Sequence, residues 1–129
     1  MVKTGILNPQ IHSLISRVRH TNTLVITDRG FPFWPMIETL DIALADDVPS
    51  VLQVLGALLG NFLIGKGWMA QESLQNNSPK VRAAFAKALA GIDLKHEPHA
   101  DFKKRVPRAI GLIRTGDTTQ YANMLLESA

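Results

Sequence analysis

Apolar residues along this chain recur with two periods, one typical of helices and one typical of strands. After Asn8-Pro9, four apolar residues follow at the i, i+3, i+4 and i+7 positions that form one face of a helix. They are Ile11, Leu14, Ile15 and Val18. Asn8 can cap this helix and Pro9 suits its first turn, so we predict a helix that ends near Arg19. The apolar run Leu24 to Ile26 then predicts a short buried strand over residues 23–27.

The rest of the chain continues this alternation of helices and strands. Alternating apolar positions at Leu40, Ile42 and Leu44 predict a half-buried strand. The pattern also predicts a helix opened by Val48-Pro49-Ser50 that runs to about Leu59, a strand around Trp68, a helix over 78–90, and strands over 92–96, 109–114 and 121–126. Strands that alternate with helices indicate an α/β fold. We therefore predict one domain, residues 1–129, in three layers, with a largely parallel sheet and helices on both faces.

Composition narrows the class of protein. The 129 residues carry a net charge of +3, 46% hydrophobic residues and no cysteine. A hydrophobic fraction of this size is that of an ordinary globular protein, and so small and dispersed a charge gives no reason to expect a nucleic-acid partner. The longest apolar run, Val51 to Ile64, is too short and too polar to span a membrane, and no signal peptide is apparent. We expect a soluble cytoplasmic protein without disulfides or membrane insertion.

His20 and Asp28 flank the first predicted strand and are the first candidate site residues. Imidazole titrates near neutral pH, so His20 is a candidate general acid or base. Asp28 is a candidate for holding a substrate hydroxyl. The alternatives are that His20 interacts with the negative end of the helix dipole and that Asp28 only starts the turn before Gly30.

A second polar group, from His96 to Lys103, places two imidazoles, two carboxylates and an amine within eight residues. A metal site formed by His96 and His99 is one alternative. Pro98 disfavours a continuous helix here, and the spacing of residues along the sequence does not identify a third metal ligand. We therefore favour a site that uses one of the imidazoles and no metal.

Tyr121 and Asn123 form the third candidate element. If both lie on the predicted last strand, their i and i+2 spacing puts them on the same face. A phenol beside a carboxamide suits the hydroxyls of a sugar, whereas the alternative is that Tyr121 covers the edge of the sheet. The aromatic loop residues Phe31, Phe33 and Trp34 are interpreted as core or subunit contacts rather than as a sugar-stacking surface.

These elements together resemble the D-ribose pyranase and fucose mutarotase family over nearly the whole chain. The resemblance is carried by several separate motifs in the family's order. They are Gly5-Ile6-Leu7-Asn8, His20-Thr21-Asn22-Thr23-Leu24-Val25, Asp41-Ile42-Ala43-Leu44, Val48-Pro49-Ser50, Gln53-Val54-Leu55, His99-Ala100-Asp101-Phe102-Lys103, Ile113-Arg114-Thr115-Gly116-Asp117 and Tyr121-Ala122-Asn123. The second motif is closer to the ribose branch than to the fucose branch.

The resemblance implies a mutarotase that interconverts cyclic forms of a free monosaccharide, such as ribopyranose and ribofuranose, without a cofactor. It also implies site positions for six residues. They are His20 as proton donor, Asp28, His99, Tyr121 and Asn123 as substrate-binding residues, and Lys103 near the site. Family members assemble as rings, commonly decamers, with each site between neighbouring subunits, so the resemblance implies a homo-oligomeric ring.

The chemistry of ring opening is consistent with these assignments. A proton must reach the ring oxygen while another leaves the anomeric hydroxyl, so one acid and one base near the same sugar suffice. We assign His20 as the acid and His99 or a bound water as the base. The alternatives are a non-catalytic sugar-binding or regulatory protein of a sugar-uptake system and a metal-dependent isomerase.

Three departures from the pattern of the ribose branch leave the identity of the sugar undetermined. Arg29 stands where a small residue is usual, the loop Phe33-Trp34-Pro35 is bulkier, and the segment between Gly60 and Ile92 is shorter. The guanidinium of Arg29 is a candidate partner for Asp28 or for an acidic or phosphorylated sugar, with a solvated arginine as the alternative. D-ribose is our first expectation, and another pentose or a deoxyhexose is the second.

Overall fold

Six strands form one mixed sheet, seen in a computed structural model that describes residues 1–129. The strands are β1 (Thr23–Thr27), β2 (Glu38–Asp41), β3 (Ile64–Ala70), β4 (Asp93–Glu97), β5 (Gly111–Arg114) and β6 (Met124–Ser128). They lie side by side in the order β2-β5-β1-β6-β3-β4. Neighbouring strands are parallel except where β6 pairs with β1 and with β3. Five strands therefore run one way, and β6, inside the sheet, runs the other.

Five helices complete the fold. They are α1 (Pro9–Ser16), α2 (Val51–Leu59), α3 (Glu72–Gln75), α4 (Pro79–Ala88) and α5 (His99–Arg105), the last followed by a 3₁₀ turn, Val106–Arg108. The side chains of Asn8, Ser50 and Ser78 each accept a backbone N–H in the first turn of α1, α2 and α4. These caps satisfy donors that a helix start would otherwise leave unpaired. Even α4, the longest helix, has only 10 residues, and none of the five is long and apolar enough to cross a membrane.

The two faces of the sheet carry different cores. Successive strand residues point to opposite faces, so in β1 Leu24 and Ile26 belong to a core of 16 buried residues shared with α1 and α2. Val25, between them, belongs to a core of 8 buried residues that includes Phe102 of α5 and Val106. Fully burying one such side chain contributes about 1.5–3 kcal/mol. The predicted three-layer α/β domain with helices on both faces is confirmed.

Two predicted strand boundaries are wrong. The strand expected over residues 40–44 lies earlier, as β2, because the side chain of Asp41 accepts the N–H of Ala43 at 3.1 Å and turns the chain away from the sheet. The last strand begins at Met124 rather than at Tyr121. Tyr121 has a φ of 54°, in the left-handed region that does not occur within a strand.

Candidate active site

The candidate site is a cleft at the edge of the sheet where β1, β3, β4 and β5 end. Because β6 runs antiparallel to β1 and β3, its amino end meets this same edge. Open α/β sheets bind ligands beyond the carboxyl ends of their strands. The cleft has a volume of about 340 Å³, within the range of about 300–1,000 Å³ found for small-molecule sites. Four of the six predicted site residues line it, namely Asp28, His99, Tyr121 and Asn123.

Asp28 lies immediately after β1, at the floor of the cleft, and is only partly exposed. Its Oδ1 accepts the backbone N–H of Gly30 at 3.0 Å, and its own backbone N–H donates to Oδ1 of Asn123 at 2.8 Å. Burial raises the pKa of Asp28 above its ordinary value, although the hydrogen bonds with Gly30 and Asn123 act in the opposite direction. The two oxygens of this carboxyl group offer several acceptor positions, of which the N–H of Gly30 uses one. It can therefore accept hydrogen bonds from hydroxyl groups.

Tyr121 and Asn123 reach the cleft from a loop and not from a strand. The prediction that they share a strand face is therefore wrong, although both residues do line the cleft. Asn123 is 2% exposed, its Oδ1 accepts the backbone N–H of Asp28, and its side chain also lowers the pKa of the Asp28 carboxyl through a hydrogen bond. A left-handed residue such as Tyr121 carries local strain, which is typical of functional positions.

The loop that carries these residues is fixed by Asp117. Asp117 is buried, and its Oδ2 accepts the N–H of Val51 at the start of α2 at 2.8 Å. Its Oδ1 accepts the N–H of Thr119, also at 2.8 Å. A carboxylate at a helix N-terminus is stabilised by the dipole. Asp117 thereby ties the loop before β6 to α2.

His99 is the first residue of α5, and its ring lies among three other aromatic rings. It stacks on Phe102 at 6.0 Å between centroids and meets Tyr121 edge-on at 5.1 Å and Phe31 edge-on at 6.2 Å. Burial, and then the charge of Lys103, lower the pKa of His99 below its ordinary 6.5, while the carboxylates of Glu72 and Asp28 act in the opposite direction. His99 is therefore neutral at pH 7 and has a nitrogen able to accept a proton.

Lys103 lies one turn further along α5 and does not line the cleft. It acts on the site through its charge on His99. His96, the other imidazole of that segment, lines a separate cavity of about 60 Å³ beneath α4. No group of three or more His, Cys, Asp or Glu side chains is placed to hold a metal ion.

His20 lies at the opposite edge of the sheet. It precedes β1, and the adjacent Thr21 donates its backbone N–H to the carbonyl of Ser128, at the far end of β6. A five-residue strand is roughly 17 Å long, because each residue advances the chain about 3.3 Å. His20 is exposed and does not line the cleft. Within one chain, therefore, His20 does not reach Asp28 or His99.

Arg29 and the aromatic loop directly follow Asp28 along the chain. Arg29 does not pair with Asp28, because its Nη1 donates to Oδ1 of Asp46 at 2.7 Å on the exposed side of the loop. Phe31 is buried and forms part of the cleft wall. Trp34 packs against the smaller core, whereas Phe33 is 74% exposed. The interpretation of these aromatics as core residues therefore holds for Phe31 and Trp34.

One residue near the site was not singled out from the sequence. Glu72, at the start of α3, accepts the backbone N–H of His99 with both carboxylate oxygens, each at 3.1 Å. The only sequence signal was an acidic residue just after the strand around Trp68. Without the strand register, nothing in the sequence joins residue 72 to residue 99.

Comparison with protein families and curated sequences places this fold and cleft among known proteins. The model of the RbsD / FucU transport protein family matches residues 1–129. A D-ribose pyranase of Laribacter hongkongensis is 37% identical over 128 residues, which is 99% of this chain and 97% of the relative. A D-ribose pyranase of Halalkalibacterium halodurans is 35% identical with the same coverage.

Two solved structures are also similar. Bacillus subtilis RbsD complexed with D-ribose superposes with a TM-score of 0.91 at 26% identity, covering 100% of this chain and 98% of that one. A fucose mutarotase from Streptococcus pneumoniae, in complex with L-fucose, superposes with a TM-score of 0.80 at 16% identity and covers 95% of this chain and 92% of that one. The second likeness concerns the fold alone.

Proposed function

This chain belongs to the RbsD / FucU transport protein family, and from that membership we propose that it is a sugar mutarotase with D-ribose as its substrate. As an isomerase of this kind it interconverts the pyranose and furanose forms of the free sugar, and it needs no cofactor. The observation that carries the proposal is the cleft that brings the side chains of Asp28, His99, Tyr121 and Asn123 together. The D-ribose pyranases at 37% and 35% identity support D-ribose as the sugar.

Ring opening in this cleft is an acid–base reaction. One group removes the proton of the anomeric hydroxyl, the bond from the anomeric carbon to the ring oxygen breaks, and a second group gives a proton to that oxygen. Closure on a different hydroxyl reverses these steps. His99 serves as the base, because its lowered pKa keeps it neutral at pH 7. His20 serves as the acid at the ring oxygen.

The remaining polar groups hold the sugar. The carboxylate of Asp28 accepts from sugar hydroxyls, the amide N–H groups of Asn123 donate to them, and the phenol of Tyr121 can do either. The ring edge of Tyr121 already meets His99, so a sugar bound to the phenol lies beside the imidazole. Such positioning is what turns a weak base into an effective one.

His20 must come from a second copy of the chain if it is to act in this cleft. The cleft and His20 lie at opposite edges of the sheet, so a second copy has to present its His20 edge to the cleft edge of the first. That contact joins two different surfaces, and repeated contacts of this kind form a ring when the rotation between neighbouring copies closes. We therefore propose a homo-oligomeric ring with each cleft completed by a neighbour. The number of subunits, with a decamer expected, and the cytoplasmic location remain predictions.

A second candidate is a sugar-binding protein without catalytic activity that serves sugar uptake. The family's description as a transport protein family favours it. Such a protein would use the same cleft and would need no titratable His99. It would bind D-ribose without changing the rate at which the sugar's forms interconvert.

Exchange NMR on free D-ribose near neutral pH distinguishes the two candidates. We expect the wild-type protein to accelerate exchange between pyranose and furanose forms, and His99→Asn to abolish the acceleration. His96→Asn is the matched control, because it removes an imidazole that does not line the cleft. Binding of D-ribose without any acceleration by the wild type would instead support the uptake protein. L-fucose, which is a deoxyhexose, and pentoses other than D-ribose are measured in parallel to identify the preferred sugar.

A further inference from the structure

We propose that Glu72 is a positioning residue for the reaction, which fixes the start of α5 and so holds the ring of His99 at the cleft. The inference rests on the proposed function, because His99 is taken as the base. Glu72 does not line the cleft itself. It acts through the backbone amide of His99, which both of its carboxylate oxygens contact at 3.1 Å.

Strand register brings the two residues together. In the parallel pair of β3 and β4, Ala70 lies opposite Glu97. The N–H of Gln71, one residue further, donates to the carbonyl of Glu97 at 2.7 Å. Glu72 and His99 each lie two residues beyond the paired positions, so the end of the ladder places one beside the other. The contact between residues 72 and 99 thus follows from the pairing of the strands.

The amino end of α5 needs such a partner. Its N-cap position is occupied by Pro98, which has no side-chain group able to accept a hydrogen bond, and no side-chain cap is present within the helix segment. Unpaired N–H groups at a helix start are normally satisfied by an N-cap side chain. Glu72 supplies that acceptor from a different helix, α3. A carboxylate at this position is also favoured by the helix dipole.

No other polar group orients the ring of His99. Its Nδ1 is buried without a hydrogen-bond partner, and its neighbours are the rings of Phe31, Phe102 and Tyr121. Aromatic contacts restrict the tilt of the imidazole but do not hold its backbone. The position of the ring along the cleft is therefore set by where α5 begins, and Glu72 sets that point.

The charge of Glu72 adds a second, separable effect. The charged groups that act on His99 are Glu72 on α3, Asp28 after β1 and Lys103 on α5. Burial and Lys103 lower the pKa of His99, while Glu72 and Asp28 raise it. Removing the negative charge of Glu72 therefore lowers this pKa further. A weaker base follows, even where the hydrogen bond to the backbone is kept.

The test compares Glu72→Gln, which keeps an acceptor oxygen but loses the charge, with Glu72→Ala, which loses both. Asp101→Asn is the matched control, because Asp101 is an exposed carboxylate in the first turn of the same helix that pairs with Lys104 instead. Two quantities are measured for each protein. One is the rate of D-ribose exchange as a function of pH, and the other is the NMR titration of the His99 ring, assigned with His99→Asn.

We expect Glu72→Gln to move both the His99 titration and the acidic limb of the rate profile to lower pH. Glu72→Ala should in addition reduce kcat several-fold with little change in KM, because the residues that hold the sugar are intact. Asp101→Asn should match the wild type in both measurements. The proposal is overturned if Glu72→Ala keeps the wild-type kcat, if Glu72→Gln leaves the titration and the pH profile unchanged, or if Asp101→Asn shifts them equally.

The two proposals fail in different ways. A wild-type protein that does not accelerate exchange overturns the mutarotase. The ring titration needs no activity, so it still decides whether Glu72 sets the protonation of His99. Glu72→Gln also keeps the test valid if Glu72→Ala does not fold.

Discussion

The two edges of the sheet differ in how firmly they hold their polar side chains. At the cleft edge, Asn123 is 2% exposed and bonded to the backbone of Asp28, and His99 lies among aromatic rings. At the other edge, His20 is exposed and no hydrogen bond from its ring is present. Protein sites hold their catalytic groups by packing and hydrogen bonds. The comparison indicates that the polar groups at the cleft edge are held by contacts within one chain, whereas no contact within the chain holds the ring of His20.

The largest expected effect is the loss of catalysis from either edge. We expect both His20→Ala and His99→Ala to reduce the exchange rate of D-ribose by about 10²–10⁴, the usual contribution of a positioned acid or base. Exchange NMR on purified variants measures it. His99→Ala should also weaken D-ribose binding, since it removes part of the cleft wall. A His20→Ala protein as fast as the wild type would mean that the exposed edge takes no part in the reaction.

The next largest effect is a difference in folding stability between variants at the two edges. Asn123→Ala leaves the N–H of Asp28 without its buried acceptor, so we expect the free energy of unfolding to fall by about 1–3 kcal/mol. His20→Ala should change it by less than about 0.5 kcal/mol, as exposed substitutions usually do. Urea unfolding followed by circular dichroism gives both values. Equal losses of unfolding free energy in Asn123→Ala and His20→Ala would contradict this difference between the two edges.

The smallest effect is a pH dependence confined to the cleft edge. The pKa of His99 is lowered in the folded chain, so on acidification the unfolded chain takes up its proton first. The contribution of His99 to stability is therefore constant well above pH 6.5 and is lost as the pH falls below that value. We expect His99→Asn to lose stability less steeply than the wild type between pH 7 and pH 5, in urea unfolding at each pH. An unchanged slope would show that burial does not penalise the imidazolium.

The helix and strand pattern predicted most of the fold because period and caps are local. The cap at Asn8, the helices that begin at Ser50 and Ser78 and the apolar run of β1 are all present where the sequence predicted them. The antiparallel direction of β6 could not be predicted, because it depends on which strands pair and not on any one segment. The extent of the last strand was missed for a similar reason. Tyr121 adopts its left-handed conformation within a loop that the distant helix α2 anchors.

The site was predictable only as far as motifs could be matched. Asp28, Tyr121 and Asn123 were candidates from their position and chemistry, and His99 was one of two candidate imidazoles. The resemblance then assigned all four to the site, and the fold brings them to one cleft. Their roles in substrate binding remain predictions. The contact of Glu72 with His99 could not be foreseen, because it depends on the register of β3 with β4. The separation of His20 from Asp28, by contrast, follows from the predicted strand that lies between them.

Mixing inactive variants tests the central claim, that the two edges complete one site between copies. When His20→Ala and His99→Ala subunits are mixed by co-expression, some clefts combine an intact His99 with an intact neighbouring His20. Random mixing in equal amounts gives about one quarter of such clefts. Mixing His99→Ala with Asp28→Asn is the control, because both residues come from the same cleft and no intact cleft can form.

We therefore predict that the first mixture regains about a quarter of the wild-type D-ribose exchange rate and that the control mixture regains none. Native mass spectrometry establishes that mixed oligomers are present in both samples. Mixed oligomers of His20→Ala and His99→Ala subunits that remain as inactive as either variant alone would contradict the shared site.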